Sequence, residues 1–261
     1  MGTLYTRSIL LLVALIYMPL IPGWGQQTPA HKPSTAELIA QLRSDDAQVR
    51  SGAFESVRTD TVALRDPKVR AALVDLLDRE NHETSDSVKD HGHAEYIGSD
   101  EDEAGSEYIG ALADSVAKIV DWSSPRQVCI LADSVFPPPE LAAHAKVAVP
   151  CLLQRSNNAP PPVRGYVVAL LVHALSKGRG ELDAVTIQAV QQIILSALHD
   201  PDDVVKIPTV KALGSFGGED MIPALRNVAE TDPDPSEGYA IRKWAAEAIA
   251  AIQKRAGQQQ Q

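Results

Sequence analysis

The chain from residue 185 to residue 216 is built as two apolar stripes around one acidic corner. The first stripe repeats at the three- and four-residue spacing of a helix face, at Ile187, Val190, Ile194 and Leu198. The corner, Asp200-Pro201-Asp202, stops one helix and caps the next. A second apolar stripe follows over 204–213. Because each stripe must be covered by another apolar surface, the segment predicts an antiparallel pair of helices.

Looser versions of this pattern recur along the chain. Apolar residues at helical spacing predict further helices over 34–42, 49–57, 67–80, 108–122, 124–135, 141–153, 163–175, 221–228 and 241–252. The segment 163–175 is apolar on nearly every side, so we expect a central helix covered by both neighbours. Five helix pairs account for these segments and leave 67–80 without a partner. The sequence therefore predicts an all-α fold.

A second recurring feature is an acidic turn residue followed by a basic residue near the start of the next helix. Val205-Lys206 and Ile241-Arg242 are 36 residues apart, and Val163-Arg164 precedes the former by 42. These intervals predict units of about 40 residues, each made of two helices. The positions that we assign to this pattern are Asp46, Arg50, Asp66, Arg70, Asp200, Lys206 and Arg242.

These units resemble HEAT repeats, including the HEAT-like repeats of phycobilin lyases. The resemblance is strongest over 183–254 and weaker over 34–80. It implies a single domain over 34–256, an α-solenoid in which antiparallel helix pairs stack into a HEAT-like superhelix. A single pair cannot bury its apolar faces alone, so neighbouring pairs must cover one another.

The resemblance also implies roles for particular residues and for the whole protein. Such repeats place a basic residue where it meets an acidic group of an adjacent turn, which implies structural roles for Arg50, Lys206 and Arg242. Lys206 stands where the repeat usually has Arg, and Pro208 interrupts the same helix. HEAT-like arrays present stacked second helices to other proteins, so a non-catalytic scaffold without a cofactor is implied. An accessory lyase or another enzyme on the same scaffold is the alternative.

Residues 81–106 break the helical pattern. Between Asn81 and Glu107, nine acidic residues stand against one Lys, so we expect a long, flexible, solvated insertion. Imidazole and carboxylate groups could instead hold a metal or another cation there, although a flexible loop would not fix the geometry of its ligands. The weak candidates for such a site are His82, His91, His93, Asp100 and Asp102.

The N-terminal segment predicts export. Residues 1–25 have the form of a bacterial secretory signal, with one basic residue before an apolar run over 8–20. This run is shorter than the roughly 20 residues that a spanning helix needs, so we expect a cleaved signal and a periplasmic or extracellular protein. An uncleaved membrane anchor is the alternative. A polar linker over 26–33 follows, and a disordered tail is expected over 257–261.

Cys129 and Cys151 are the two cysteines of the chain. In an exported protein they could pair in a disulfide that ties neighbouring helices together. Two buried thiols at apolar helix positions are the alternative. The pair does not have the CxxC spacing of a redox-active site, so we expect no catalytic role.

Charge and composition narrow the classes of partner. The formal net charge is −10, and an acidic surface repels phosphate backbones, so nucleic acid is not expected. Aromatic residues make up 5% of the chain, too few to predict a pocket of stacked rings. Ser176, Ser196 and Ser215 lack the GxSxG context of a nucleophile. We therefore expect another protein as the partner, and a membrane only if the leader is retained.

Overall fold

The computed structural model describes residues 32–91, 100–233 and 241–259. Within these ranges the regular structure is helical, which confirms the predicted all-α class. The helices are α1 (Thr35–Leu42), α2 (Ala47–Arg58), α3 (Pro67–His91), α4 (Asp100–Ala117), α5 (Pro125–Ala132), α6 (Ala145–Asn158), α7 (Pro161–Gly178), α8 (Ala184–Leu198), α9 (Asp203–Phe216), α10 (Ile222–Thr231) and α11 (Ile241–Gln259). Short 3₁₀ turns cover Ala63–Arg65, Pro139–His144 and Glu219–Met221.

The helices stack in two rows, as an α-solenoid requires. In the first row, α1, α3, α5, α6, α8 and α10 each pack against the next. The second row contains α2, α4, the 3₁₀ turn Pro139–His144, α7, α9 and α11. Each member of the first row also packs against the second-row element that follows it in the chain. The described part of the chain therefore forms six stacked units, and each covers the apolar faces of its neighbours.

Acidic turn residues begin several of these helices. The side chain of Asp46 accepts hydrogen bonds from the amides of Gln48 and Val49 at the start of α2. Asp66 accepts from the amide of Lys68, 2.8 Å away, with Pro67 as the first residue of α3. These side chains satisfy amides that have no partner inside the helix. The predicted caps are therefore present.

The pairing in the middle of the array differs from the prediction. The sequence pattern pairs 108–122 with 124–135 and leaves 67–80 over, whereas the structure pairs α3 with α4. The partner of α5 is the 3₁₀ turn Pro139–His144. Three consecutive prolines, Pro137 to Pro139, supply no amide hydrogens, so this second-row element is reduced to a short turn. A search for helical periodicity does not detect an element of that length.

The acidic segment is also more ordered than predicted. Helix α3 continues to His91 and α4 begins at Asp100, so the expected loop over 81–106 is helical at both ends. The reason is tertiary: Asn81 and Thr84 are buried, and the Asn81 side chain donates to the carbonyl of Ile130, 2.8 Å away. Polar residues at these positions thus face the next unit rather than solvent.

Other predicted boundaries shift as well. The expected tail over 257–261 is helical through Gln259, because Arg255 anchors the end of α11 by donating to the carbonyls of Gly214 and Gly217. Helix α9 runs continuously through Pro208, which does not interrupt it. The predicted signal over 1–25 and residues 26–31 of the linker lie outside the described residues.

Helix α7 is the central element of the C-terminal half. It packs against α6, α8, α9 and the turn Pro139–His144, which confirms the predicted central helix. Its crossing with α9 is close at Gly165, where a Cβ atom would lie 2.5 Å from the Val204 carbonyl oxygen and 2.7 Å from Cγ of Pro208. Glycine therefore allows the two backbones to approach.

Candidate protein-interaction surface

Basic residues at the start of the second-row helices link neighbouring units. The side chain of Arg50 is 2% exposed, and its Nε and Nη2 atoms lie 2.7 Å and 2.6 Å from carboxylate oxygens of Glu80 and Glu83 on α3. Its Nη1 donates to the carbonyls of Ser44 and Asp45, 3.2 Å and 3.0 Å away. One guanidinium thus joins the turn of its own unit to the first helix of the next.

The same arrangement recurs in the C-terminal half. The Nζ atom of Lys206 lies 3.0 Å from Asp232, which follows the first helix of the next unit, and 2.9 Å from Asp203. Arg164 reaches Asp200 in the corner of the next unit at 2.9 Å. Lys206 therefore meets an acidic turn residue, as the repeat pattern implies, and Arg164 meets Asp200 in the same way. Arg50 instead meets carboxylates inside helix α3.

Arg242 differs from that expectation, and the repeat position Arg70 likewise contacts a backbone carbonyl. Arg242 donates to the carbonyls of Ala229 and Glu230 in its own unit and makes no ion pair with the residues that the structure describes. Arg70 lies on a first-row helix and donates to the carbonyl of Ile119. Both arginines bind backbone carbonyls because the carbonyls at the C-terminal ends of α10 and α4 have no partner inside a helix.

Aromatic rings occupy every junction of the second row. Each ring contact joins two consecutive members of that row or the loops beside them. The contacts are Phe54–Tyr108, Trp122–His144, Phe136–Tyr166, His173–Phe216 and Lys211–Trp244. Together they use every Phe, Tyr and Trp in the described residues. Although aromatic residues are few, they serve as joints between units, and composition alone did not indicate this role.

Three of these rings are also available to a partner. Tyr166 is 50% exposed, and Phe136 and Phe216 are each 37% exposed. The Phe136 and Tyr166 rings meet edge to face with centroids 5.6 Å apart, and Phe216 stacks on His173 at 4.0 Å. Each ring thus has one side held by a neighbouring unit and another side in contact with solvent.

Charge is distributed unevenly along the array. Helices α7, α9 and α11 contain eight basic and two acidic residues, although the whole chain carries −10. Helix α4 contains six acidic residues and no basic one. We define the second-helix face as Tyr166, His173 and Lys177 of α7, Lys211 and Phe216 of α9, and Trp244 of α11. This face combines fixed rings with positive charge.

A cleft of about 490 Å³ lies beside this face, at the C-terminal ends of α7, α9 and α11. Its lining combines polar residues with core side chains, namely Val172, Leu175, Ile194, Leu213, Met221 and Ile252. At the rim, Asp220 accepts hydrogen bonds from Gln191 at 3.0 Å and from Arg179 at 3.4 Å. Lys177 and Phe216 line the cleft and also belong to the second-helix face.

A comparison with known protein families gives a match over the last units of this array. Residues 191–260 match the family model for HEAT repeats. The match covers the second half of α8 and all of α9, α10 and α11, where the sequence resemblance is strongest. A search of curated proteins found no match to this chain. The HEAT match and the two-row stacking agree on a HEAT-like solenoid.

The residues proposed as metal ligands are not brought together among those described. Nδ1 of His82 lies 2.7 Å from the carbonyl of Asp78, and the side chain is exposed. The side chains of His91, Asp100 and Asp102, and all of His93, lie outside the described part of the structure. Residues 32–84, 107–233 and 241–258 contain no group of three or more potential metal ligands.

The two cysteines are joined in the structure. Cys129 on α5 and Cys151 on α6 form a disulfide with Cα atoms 5.1 Å apart. The bond links the first-row helices of the third and fourth units, next to the shortened turn Pro139–His144. It therefore joins two first-row helices that also pack directly against each other.

The isolated histidines and serines occupy distinct places. His144 stacks on Trp122 at 4.0 Å, and His199 lies at the C-terminal end of α8. Burial lowers the pKa of His173, and the charge of Lys177 acts in the same direction. Ser176 and Ser215 line the cleft, whereas Ser196 is exposed in the last turn of α8. In the ranges that the structure describes, no helix is both long and apolar enough to span a membrane.

Proposed function

We propose that this chain is a non-catalytic protein–protein interaction scaffold of the HEAT-repeat type that acts outside the cytoplasm. The observation that carries the proposal is the set of partly exposed rings, Phe136, Tyr166 and Phe216, on the second row or in the loop beside it. Aromatic side chains supply much of the binding energy at protein interfaces when they are held in place before binding. Here each ring is held by a contact with the adjacent unit.

The joints between units support the same function. Buried ion pairs at Arg50 and Lys206 connect consecutive units, and the Cys129–Cys151 disulfide connects the two units in the middle. An array joined in this way presents one continuous surface to a partner. Less ordering of the scaffold on binding leaves more of the interaction energy as affinity.

Two features support export. The apolar run over 8–20 has the length and position of a signal sequence, and a disulfide persists in oxidising compartments. The test is to express the full chain with a C-terminal tag and measure the mass of the mature protein in each cell fraction. We expect a product that starts near residue 26, in the periplasm or the medium. A full-length product in the cytoplasm contradicts export.

The scaffold function is tested by crosslinking the tagged protein in its native host, followed by mass spectrometry of what co-purifies. The variant Tyr166→Ser with Phe136→Ser should lose at least tenfold of the specific partner relative to the wild type. Val185→Ser is the matched control, because Val185 is an exposed apolar residue on the first row. Equal recovery with all three proteins would contradict a role for the second row.

A further inference from the structure

We infer that the second-helix face binds an acidic peptide segment of its protein partner and that an apolar side chain of this segment enters the neighbouring cleft. The inference rests on the proposed scaffold function and adds the chemistry of the partner. Three observations carry it: the positive charge of α7, α9 and α11, the exposed rings beside that charge, and the core side chains that form part of the lining of the cleft.

The positive charge of this face is partly free. Of the basic residues on the three helices, Arg164 and Lys206 are neutralised by carboxylates of the next unit. Lys177 and Lys211 are exposed and make no ion pair within the described residues. The Lys211 ammonium lies 4.6 Å from the centre of the Trp244 ring, which holds it without neutralising it. An acidic partner would supply the missing negative charge.

The dimensions of the face fit a peptide. Helices in contact lie about 8–10 Å apart, so the path from α7 across α9 to α11 is roughly 20 Å long. An extended chain advances about 3.3 Å per residue, so six or seven residues cover that path. A nucleic acid fits less well, because a long polyanion would continue from this face over a surface whose overall charge is negative.

The cleft supplies the apolar part of recognition. Core side chains from four helices and Met221 form part of its lining, and its volume of about 490 Å³ accommodates a large apolar side chain. At its rim, Asp220 is bound by Gln191 and Arg179, and Arg255 is bound to backbone carbonyls. Glu219 adds an exposed carboxylate to this rim, and Lys177 is the rim cation without an ion-pair partner among the described residues.

The test is selection of peptides from a display library of random 12-mers on the immobilised full chain without its first 25 residues, with the disulfide intact. Enriched sequences are expected to be net negative and to share at least one large apolar residue. Fluorescence anisotropy of a labelled synthetic copy should then give an affinity that weakens at least tenfold for Lys177→Glu with Lys211→Glu. Replacing the acidic residues of the peptide by their amides should have a similar effect.

A matched control separates this face from general electrostatics. The double variant Lys68→Glu with Lys118→Glu makes the same change of net charge at two exposed lysines, on α3 and just after α4. It should change the affinity less than threefold. Circular dichroism should give the wild-type helix content for both double variants, because all four lysines are on the surface.

Several outcomes would overturn the inference. Enrichment of neutral or basic peptides would contradict it. Equal binding of the enriched peptides by the face variant and by the control variant would also contradict it. Tighter binding of a 12-nucleotide single strand or of anionic vesicles by the same lysines would assign the face to another ligand. Sedimentation showing that the face mediates self-association would assign it to a second copy. In each case the scaffold function is tested separately by crosslinking. Recovery of native partners would support that function even if the peptide inference fails, and recovery of none would contradict it.

Discussion

The Nε atom of Arg50 lies 2.7 Å from Oε1 of Glu80, and this contact ties the second helix of the first unit to the first helix of the second. Both residues are buried, and the remaining guanidinium nitrogens bind Glu83 and two backbone carbonyls. A buried charge is tolerated because every side of the guanidinium has a partner. The relationship makes Arg50 a structural residue of the array.

Replacing Arg50 by Ala should therefore destabilise the protein strongly. The change leaves Glu80 buried without its partner, and we expect a loss of about 3–5 kcal/mol in the free energy of unfolding. Urea denaturation followed by circular dichroism measures it. Arg58→Ala is the control, because the exposed Arg58–Glu55 pair should contribute less than about 1 kcal/mol. Equal effects of the two variants would contradict this account of Arg50.

Gly165→Ala should destabilise the crossing of α7 and α9. The new methyl group would meet the backbone oxygen of Val204, which cannot move without shifting α9, so we expect a loss of about 1–3 kcal/mol. Gly110→Ala is the matched control on α4, where an added Cβ meets no atom within 4 Å. That change should stabilise the protein by about 0.5–1 kcal/mol through helix propensity. Thermal unfolding of both variants decides whether the crossing needs glycine.

Loss of the disulfide should weaken the centre of the array. The bond joins residues 22 positions apart, and closing a loop of that length restricts the unfolded chain by about 3 kcal/mol. Cys129→Ala with Cys151→Ala should lower the free energy of unfolding by a similar amount. A reducing agent should destabilise the wild type and leave the double variant unchanged. If reduction affects both proteins equally, the disulfide is not the cause.

The stability of the C-terminal half should depend on the protonation of His173. Burial lowers the pKa of His173 in the folded protein below its ordinary value of 6.5, so the unfolded chain binds this proton more tightly. The free energy of unfolding should therefore rise as the pH increases from the pKa of His173 in the folded protein to its unfolded value of 6.5. This contribution is lost as the pH falls below 6.5. His173→Phe, which can keep the stack on Phe216, should flatten that dependence. An unchanged slope in urea titrations between about pH 5 and pH 7 would refute the assignment.

Much of the fold follows from local patterns. The stripe from Ile187 to Leu198, the corner at Asp200 and the cap at Asp66 each act within one or two turns of helix, so the sequence predicts them directly. The basic positions Arg50 and Lys206 also follow, because the repeat places each beside the next unit. Each of them contacts a residue far along the chain, but the contact recurs because the repeat sets the distance to the next unit.

The candidate surface was not predictable in the same way. Phe136 and Tyr166, or His173 and Phe216, are dozens of residues apart and share no motif, so only the stacking of units brings the rings together. The separation of basic from acidic helices is visible in composition only after the second row has been identified. The helical order of 81–91 likewise depends on Asn81 and Glu80 meeting residues of other units.

The sequence alone determined that the chain forms helices, where many of them begin, and that their apolar sides need neighbours, because these properties depend on spacing and capping within a few residues. The tertiary structure decided which helices pair, that α5 takes a 3₁₀ turn as its partner, and that rings and positive charge share one face. Those results depend on contacts between residues far apart in the chain, whose energies are set by the packing of whole units.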